Sequence, residues 1–461
     1  MALDRDLAAA IAATRFGLGA KPGEIEAAGA DPRGWLIAQI DAARGADQPQ
    51  ANPETSAQRL IQLRQLQEQR REAKQDGETF DPVKFALKTI RKDAGTDFLA
   101  RIQLAAATDA DFRERWALFW CNHFTVSAKN LQTAILAGPF EQEAIRPHVF
   151  GKFEDLLVAS TTHPAMLLYL DQAQSIGPDT RAAAFLERKG KTPGLNENLA
   201  REVMELHTVG VGAGYTQADV TEFARVLTGW SIGGLREPDD VAGRFMFRAN
   251  AHEPGVRTVM GKRYAEDGMA QGMAVLKDLA ASPHTARHLS VEIASQFVAD
   301  EPPPALVARL ERTYLSTGGD LGQMARTLAL APEAWTPAAE KFKMPYEFLV
   351  SSWRAAGMVP NDLSGVVPVL TRMGQKPFSA PSPKGWPESA VAWCAPDAVI
   401  KRMEWSQALA ARSLAGRDPL QLARTALGAR LTPLVATAIS RAETREEGMA
   451  IFLMSPEFQR R

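Results

Sequence analysis

Apolar residues recur at three- and four-residue spacing along most of the chain, which predicts helices nearly throughout. The pattern is densest over 98–230. There Trp116, Trp120 and His123 fall at i, i+4 and i+7, one face of a helix, with Phe119 packing from the neighbouring row. Leu195, Leu199, Val203 and Leu206 make a core-facing stripe, and Val220, Phe223, Ala224, Leu227 and Trp230 make another. Start and stop signals frame these helices. Pro164 follows His163 at a permitted first-turn position, Asn196 can cap a helix that runs to about Thr208 and stops at Gly210, and Thr216-x-x-Asp219 reads as a capping box.

The remainder is irregular in specific places. The segment to about residue 45 reads as two helices around FGLGAKPGE. Residues 46–56 read as a linker, and 59–76 as a charged helix with Leu60, Leu63 and Leu66 on a narrow stripe, either an arm over its own domain or a partner surface. Residues 172–194 form a polar, Gly/Pro-broken loop of the kind that serves as a lid or binding loop. Two β-rich runs within 245–264 predict a hairpin around Glu253-Pro254-Gly255. A Pro-rich stretch, 376–396, is irregular but holds Trp386 and Trp393, so it should pack down. The expected fold is mainly α: multi-helical, with two or three packed helical subdomains and one small β-hairpin. The boundaries are 1–45, 46–97 (linker and charged helix), 98–230 (central core with a polar Glu/His cluster), 231–340 (hairpin and helices) and 341–461.

Composition narrows the function classes. The chain has 461 residues, 45% of them hydrophobic and 23% charged, and 53 Lys plus Arg against 54 Asp plus Glu leave a formal net charge of −1. That balance supplies no long-range field for nucleic acid or anionic lipid. Cys121 and Cys394 read as two buried free thiols, and no Cys/His zinc spacing is present. No apolar run approaches the roughly 18 residues of a membrane helix. The start MALDRDLAAAIAATRFGLGA is not a signal peptide, so the expected location is cytoplasmic, with periplasmic or extracellular residence by passenger export as the alternative.

The richest polar segment is GLNENLAREVMELHTVG. Asn198, Glu202 and Glu205 share one helical stripe, with Arg201 beside Glu205 at i+4. Close carboxylates push one another's proton affinities apart, which suits acid–base work, and the same groups suit a structural network between helices. His207 lies roughly 140° and 200° from Glu202 and Glu205 on an ideal helix, so neither Glu-x-x-His nor His-Glu-x-x-His is present, and it reads as a helix C-terminal cap unless a break re-aims it. The candidate catalytic residues are Glu202, Glu205, His123 and His163, and the candidate ligand-binding residues are Asn122, Asp171, Asn198, Arg201 and His207. Any metal or cofactor is unknown: the set is compatible with a divalent metal, and no nucleotide-cofactor motif occurs.

Stretches spread in order along the chain carry a resemblance: RFGLGAKPGEI, RWALFWCNHFTVS, IRPHVFGKFEDLLVASTTHPAMLLYLD, GLNENLAREVMELHTVGVGAGYTQADVTEFARVLTGWSI, AHEPGVRTVMGKRY, PSPKGWP and SPEFQRR. On them the chain resembles the bacterial domain of unknown function 1800 family. Members commonly look exported and are encoded beside a second uncharacterised family with a sulfatase- or phosphatase-like look; the lack of a signal peptide departs from that. Two readings follow: an enzyme, with hydrolysis as its reaction, or a ligand-binding protein using the Glu/Asn/His/Arg pocket; alternatively, a non-catalytic helical partner or escort of a co-encoded protein.

Overall fold

The computed structural model describes all residues except 1–3, 42–44, 76–81, 193, 236 and 239. The first residues of the N-terminal segment, the last residue of the 59–76 helix and Pro193 of the 172–194 loop therefore lie outside the described residues. The chain is 62% helical, with 23 helices and two small antiparallel two-stranded sheets among the described residues. A mainly α fold is what the 3.6-residue periodicity dictates.

Two hydrophobic cores organise the helices. One runs from Ala9 to Trp335 and is filled by Trp116, Trp120, Phe124, Phe153 and Trp230. The other joins residues 346–458 to Leu18 and to Phe98, Ile102 and Ala105 of helix Pro82–Ala107. Helix Asp111–His123 stands between them. Arg354, fully buried, ties the two cores together: it donates to the Gly19, Ala105 and Thr108 carbonyls and pairs with Glu24 at 2.9 Å and Asp111 at 3.2 Å. A guanidinium removed from water this completely is stable only because nearly all of its donors are engaged.

Local signals are realised where they were strongest. Helix Gln217–Leu227 begins with the Thr216/Asp219 capping box and buries Val220, Phe223, Ala224 and Leu227. His163 caps helix Pro164–Tyr169 by accepting the Ala165 amide at 3.1 Å. On helix Ser56–Gln75, Leu60 and Leu63 are buried in the first core and Arg59 pairs with Asp97 at 2.6 Å, so this helix is fastened to its own domain.

Three expectations are corrected. The two β-rich runs do not pair with each other. Phe245–Phe247 (β2) pairs with Trp230–Ile232 (β1), and Arg257–Val259 (β3) turns tightly onto Lys262–Tyr264 (β4), because Gly261 at φ +76° supplies a two-residue turn that the Pro254 region does not. The 172–194 stretch is not wholly loop: it contains helix Arg181–Arg188, capped by Thr180. Cys121 is buried as expected, but Cys394 is exposed, because it follows the short turn Ala390–Ala392 at the end of the Pro-rich stretch.

Candidate functional site

Helix Asp111–His123 ends in a polar cluster. Its aromatic face fixes the last turn: Trp116 Nε1 donates to the Val149 carbonyl at 2.7 Å, and Trp120 packs edge-on against both Trp116 and His123. His123 is thereby held with Nδ1 2.8 Å from Glu292 Oε2 and Nε2 3.2 Å from the His207 carbonyl. Glu292 and His288 come from helix Pro283–Phe297, and their i,i+4 spacing brings His288 Nε2 within 3.5 Å of Glu292 Oε1 and 3.0 Å of the Leu206 carbonyl.

The third strand of the site is the segment after Glu202. Residues Val203–His207 form a π-helical turn, a widened coil that recurs at functional sites. It turns the Leu206 and His207 carbonyls toward the two histidines of the other helices. His207 itself points inward, its ring 5.9 Å from His123 and 4.9 Å from Phe124, and neither of its nitrogens has a hydrogen-bond partner among the described residues. Burial, then the neighbouring His123 and His288, pushes its pKa well below the ordinary value. A neutral buried ring cannot act as the cationic C-terminal cap expected from the sequence.

A second carboxylate arrives from the Pro-rich strap. Asn122, the neighbour of His123, clamps the strap with its side-chain amide: Oδ1 accepts the Trp386 amide at 2.8 Å, and Nδ2 donates to the Trp386 carbonyl at 3.0 Å and to Glu388 Oε1 at 3.3 Å. Gly385 permits this approach. Its φ is +82°, and a Cβ there would stand 2.5 Å from the Asn122 carbonyl oxygen. Lys341 Nζ holds the Glu388 carbonyl at 2.7 Å.

The two carboxylates have opposed proton affinities. Burial alone would raise Glu292, but the charge and hydrogen bond of His123, with help from His288 and Lys384, hold it below the ordinary glutamate value. Burial raises Glu388, and the negative charge of Glu292 adds to it; Lys341 and Asn122 oppose this only partly, leaving Glu388 at about 7. One group is a carboxylate throughout the neutral range, and the other gains and loses its proton there.

The remaining sequence-predicted residues lie in other surroundings. Arg201 pairs with Glu197 at 3.1 Å and Glu205 at 3.5 Å on the half-buried outer face of helix Asn198–Glu202 and the π turn. Glu202, on the same face, is raised by burial and by Glu205, and burial with Glu202 raises Tyr169 to about 12. Asn198 is exposed. Asp171, at φ 57°, is held 3.8 Å from Lys129, and its carbonyl accepts from Asn196. His163 belongs to a different group: its Nε2 is 3.0 Å from Glu143, which also binds the amide and hydroxyl of Ser56. The structure thus joins Asn122, His123 and His207, and gives His123 the carboxylate Glu292 in place of Glu202 or Glu205. Among the described residues, no group of three or more His, Cys, Asp or Glu is arranged to hold a metal ion. Glu292 and His288 had one legible signal, their four-residue spacing on an amphipathic stretch. Glu388 had none.

The family profile described as "Protein of unknown function (DUF1800)" matches residues 11–460. The chain belongs to the DUF1800 family. The match embraces every element of the site, from the Asp111–His123 helix through the strap. No curated protein and no solved structure shows a significant match.

Proposed function

We propose that this DUF1800 chain is an acid–base enzyme of the hydrolytic class acting on a polar small molecule, with Glu388 as the proton-transferring group and Glu292 as a permanently ionised carboxylate. The observation that carries this reading is the opposed proton affinity of Glu292, bonded to His123, and Glu388, bonded to Asn122. Pairs of titratable groups pushed apart by their surroundings mark acid–base assignments, and a group poised near neutrality transfers protons most effectively. In this reading Glu388 takes a proton from the attacking water and returns it to the leaving group. The negative charge of Glu292 keeps the proton affinity of Glu388 high enough for this transfer, and His123 and His288 orient Glu292. Asn122 is a positioning residue that acts through Glu388. The acid–base role thus moves from Glu202 and Glu205 to the strap.

Carboxyl-carbon NMR of glutamate-labelled protein tests the assignment without a known substrate. Glu388 should titrate near neutrality, and Glu292→Gln should lower its midpoint. In a panel of ester, amide, phosphoester and glycoside substrates, any turnover found should fall about 100-fold or more in Glu388→Gln with the fold retained. Titration of Glu388 in the ordinary carboxylate range, or turnover undiminished in Glu388→Gln, overturns the reading.

A further inference from the structure

Behind Asn122, on the side of the strap where Gln375 and Phe378 lie, two small cavities of about 60 and 50 Å³ share Arg101, Asn122, Phe378 and Trp386 in their walls. The larger one is unusual in its hydrogen-bond balance. Tyr346 lines it and is 6% exposed, yet its hydroxyl has no partner among the described residues. Burial keeps this phenol protonated well beyond its ordinary range, so the hydroxyl is a donor in search of an acceptor.

A second donor is equally short of an acceptor. Gln375 is 7% exposed, and its Oε1 is committed to the Tyr346 backbone amide at 2.7 Å. That bond fixes which end of the side chain is the NH₂, and among the described residues this NH₂ meets only the thioether of Met344 at 4.0 Å, a weak acceptor. Arg101 adds a third. One of its terminal nitrogens pairs with Glu141 at 2.8 Å, while its buried Nε has no partner among the described residues and its guanidinium lies 5.0 Å from the Tyr346 ring and 5.7 Å from that of Phe378.

The charges in the wall point the same way. Arg101, Arg115 and Lys376 line the larger cavity; Glu347, the one carboxylate in its wall, is engaged by Arg115 and Arg461, and Glu141, in the wall of the smaller cavity, by Arg101. Donors in excess, a cationic wall and aromatic sides call for a guest that only accepts and carries negative charge. The volume admits roughly four waters, or a carboxylate with one or two carbons.

We propose that the cavity lined by Tyr346, Gln375 and Arg101 is a binding site for a carboxylate group, separate from the Glu292–Glu388 pair and independent of the reading given to it. The phenol and the amide supply neutral donors, and the guanidinium supplies the charge-assisted one.

The test uses the full-length protein and sodium acetate or formate, measured by titration calorimetry and by thermal shift, with sodium chloride and sodium phosphate at equal ionic strength as the other arms. Tyr346→Phe is the informative variant because it deletes an unpartnered hydroxyl and nothing else. Without carboxylate it should be at least as stable as the parent, since no bond is lost. Acetate or formate should bind the parent saturably and the variant about tenfold more weakly, the worth of one hydrogen bond to a charged group. No saturable binding, equal binding to the variant, or the same response to chloride as to acetate overturns the proposal.

Discussion

Glu292 Oε2 lies 2.8 Å from His123 Nδ1, on a ring whose other nitrogen faces the His207 carbonyl at 3.2 Å. Both contacts on the ring are to oxygen, and the carbonyl can only accept. The arrangement is therefore satisfied by an imidazolium against a carboxylate, or by a neutral ring whose Nδ1 accepts from a protonated Glu292. The depressed proton affinity of Glu292 makes its Oε2 the acceptor of the His123 contact. The negative charge of Glu292 raises the proton affinity of Glu388, and His123 takes part in setting that group's protonation by holding Glu292 ionised.

Glu292→Gln keeps an acceptor for His123 but removes the charge. The folded-state pKa of Glu292 is depressed, so its contribution is present above the ordinary glutamate value and is lost as pH falls through the folded value. Urea unfolding should show the variant about 1–2 kcal/mol less stable at pH 7, with the difference shrinking as pH falls below the ordinary glutamate value. A difference that persists unchanged at low pH would mean that packing, not charge, is responsible.

His207 makes the opposite demand on the fold. Its ring is buried, without a hydrogen-bond partner among the described residues, and neutral, with a pKa well below the ordinary histidine value. The unfolded chain binds that proton at about pH 6.5, so the parent loses stability as pH falls below it, by about 1.4 kcal/mol per pH unit until the folded value is reached. His207→Leu, close in size, should flatten the stability profile between about pH 6.5 and 5. An unchanged slope would place the acid sensitivity elsewhere.

How far such features can be seen in advance depends on their range along the chain. The Trp116–Trp120–His123 face and the Thr216/Asp219 capping box are local, so spacing alone reveals them. The widened turn at Val203–His207 is not, because an assumption of 100° per residue conceals a π-helical break. The contacts that build the site join residues far apart: His123 meets Glu292 across 169 positions, and Asn122 meets Glu388 across 266. Glu388 lies in a Pro-rich strap without periodicity, where nothing distinguishes it from a solvated glutamate until the strap is folded onto Asn122.

That fold-down can be challenged at two glycines of similar backbone. Gly374 and Gly385 both have φ above +80°, but an added Cβ at Gly374 has its nearest neighbour at 3.9 Å, whereas at Gly385 it would stand 2.5 Å from the Asn122 carbonyl oxygen and 2.6 Å from its Oδ1. Gly374→Ala should cost about 1 kcal/mol, the price of a left-handed conformation alone. Gly385→Ala should cost more than about 2 kcal/mol in urea unfolding, and should expose Trp386 to a fluorescence quencher. Equal effects at the two positions would mean that Asn122 does not hold the strap.

Glu388→Gln separates the stability of the strap from its proposed chemistry. The folded state raises this group from 4.5 to about 7, which means that the fold favours the protonated form. The stabilising contribution is fully present below the unfolded value, is lost as pH rises from about 4.5 to 7, and stays lost above that. Across this window the parent should lose roughly 2–3 kcal/mol relative to a glutamine variant, which cannot ionise. The variant should therefore be the more stable protein at pH 8, and the two should converge, or reverse, at pH 4. A stability gained at neutral pH by removing a buried ionisable group is the pattern expected of a site that gives up stability for function. Parallel profiles from pH 4 to 8 would show that Glu388 titrates like a solvated glutamate, and would overturn the acid–base reading of the strap.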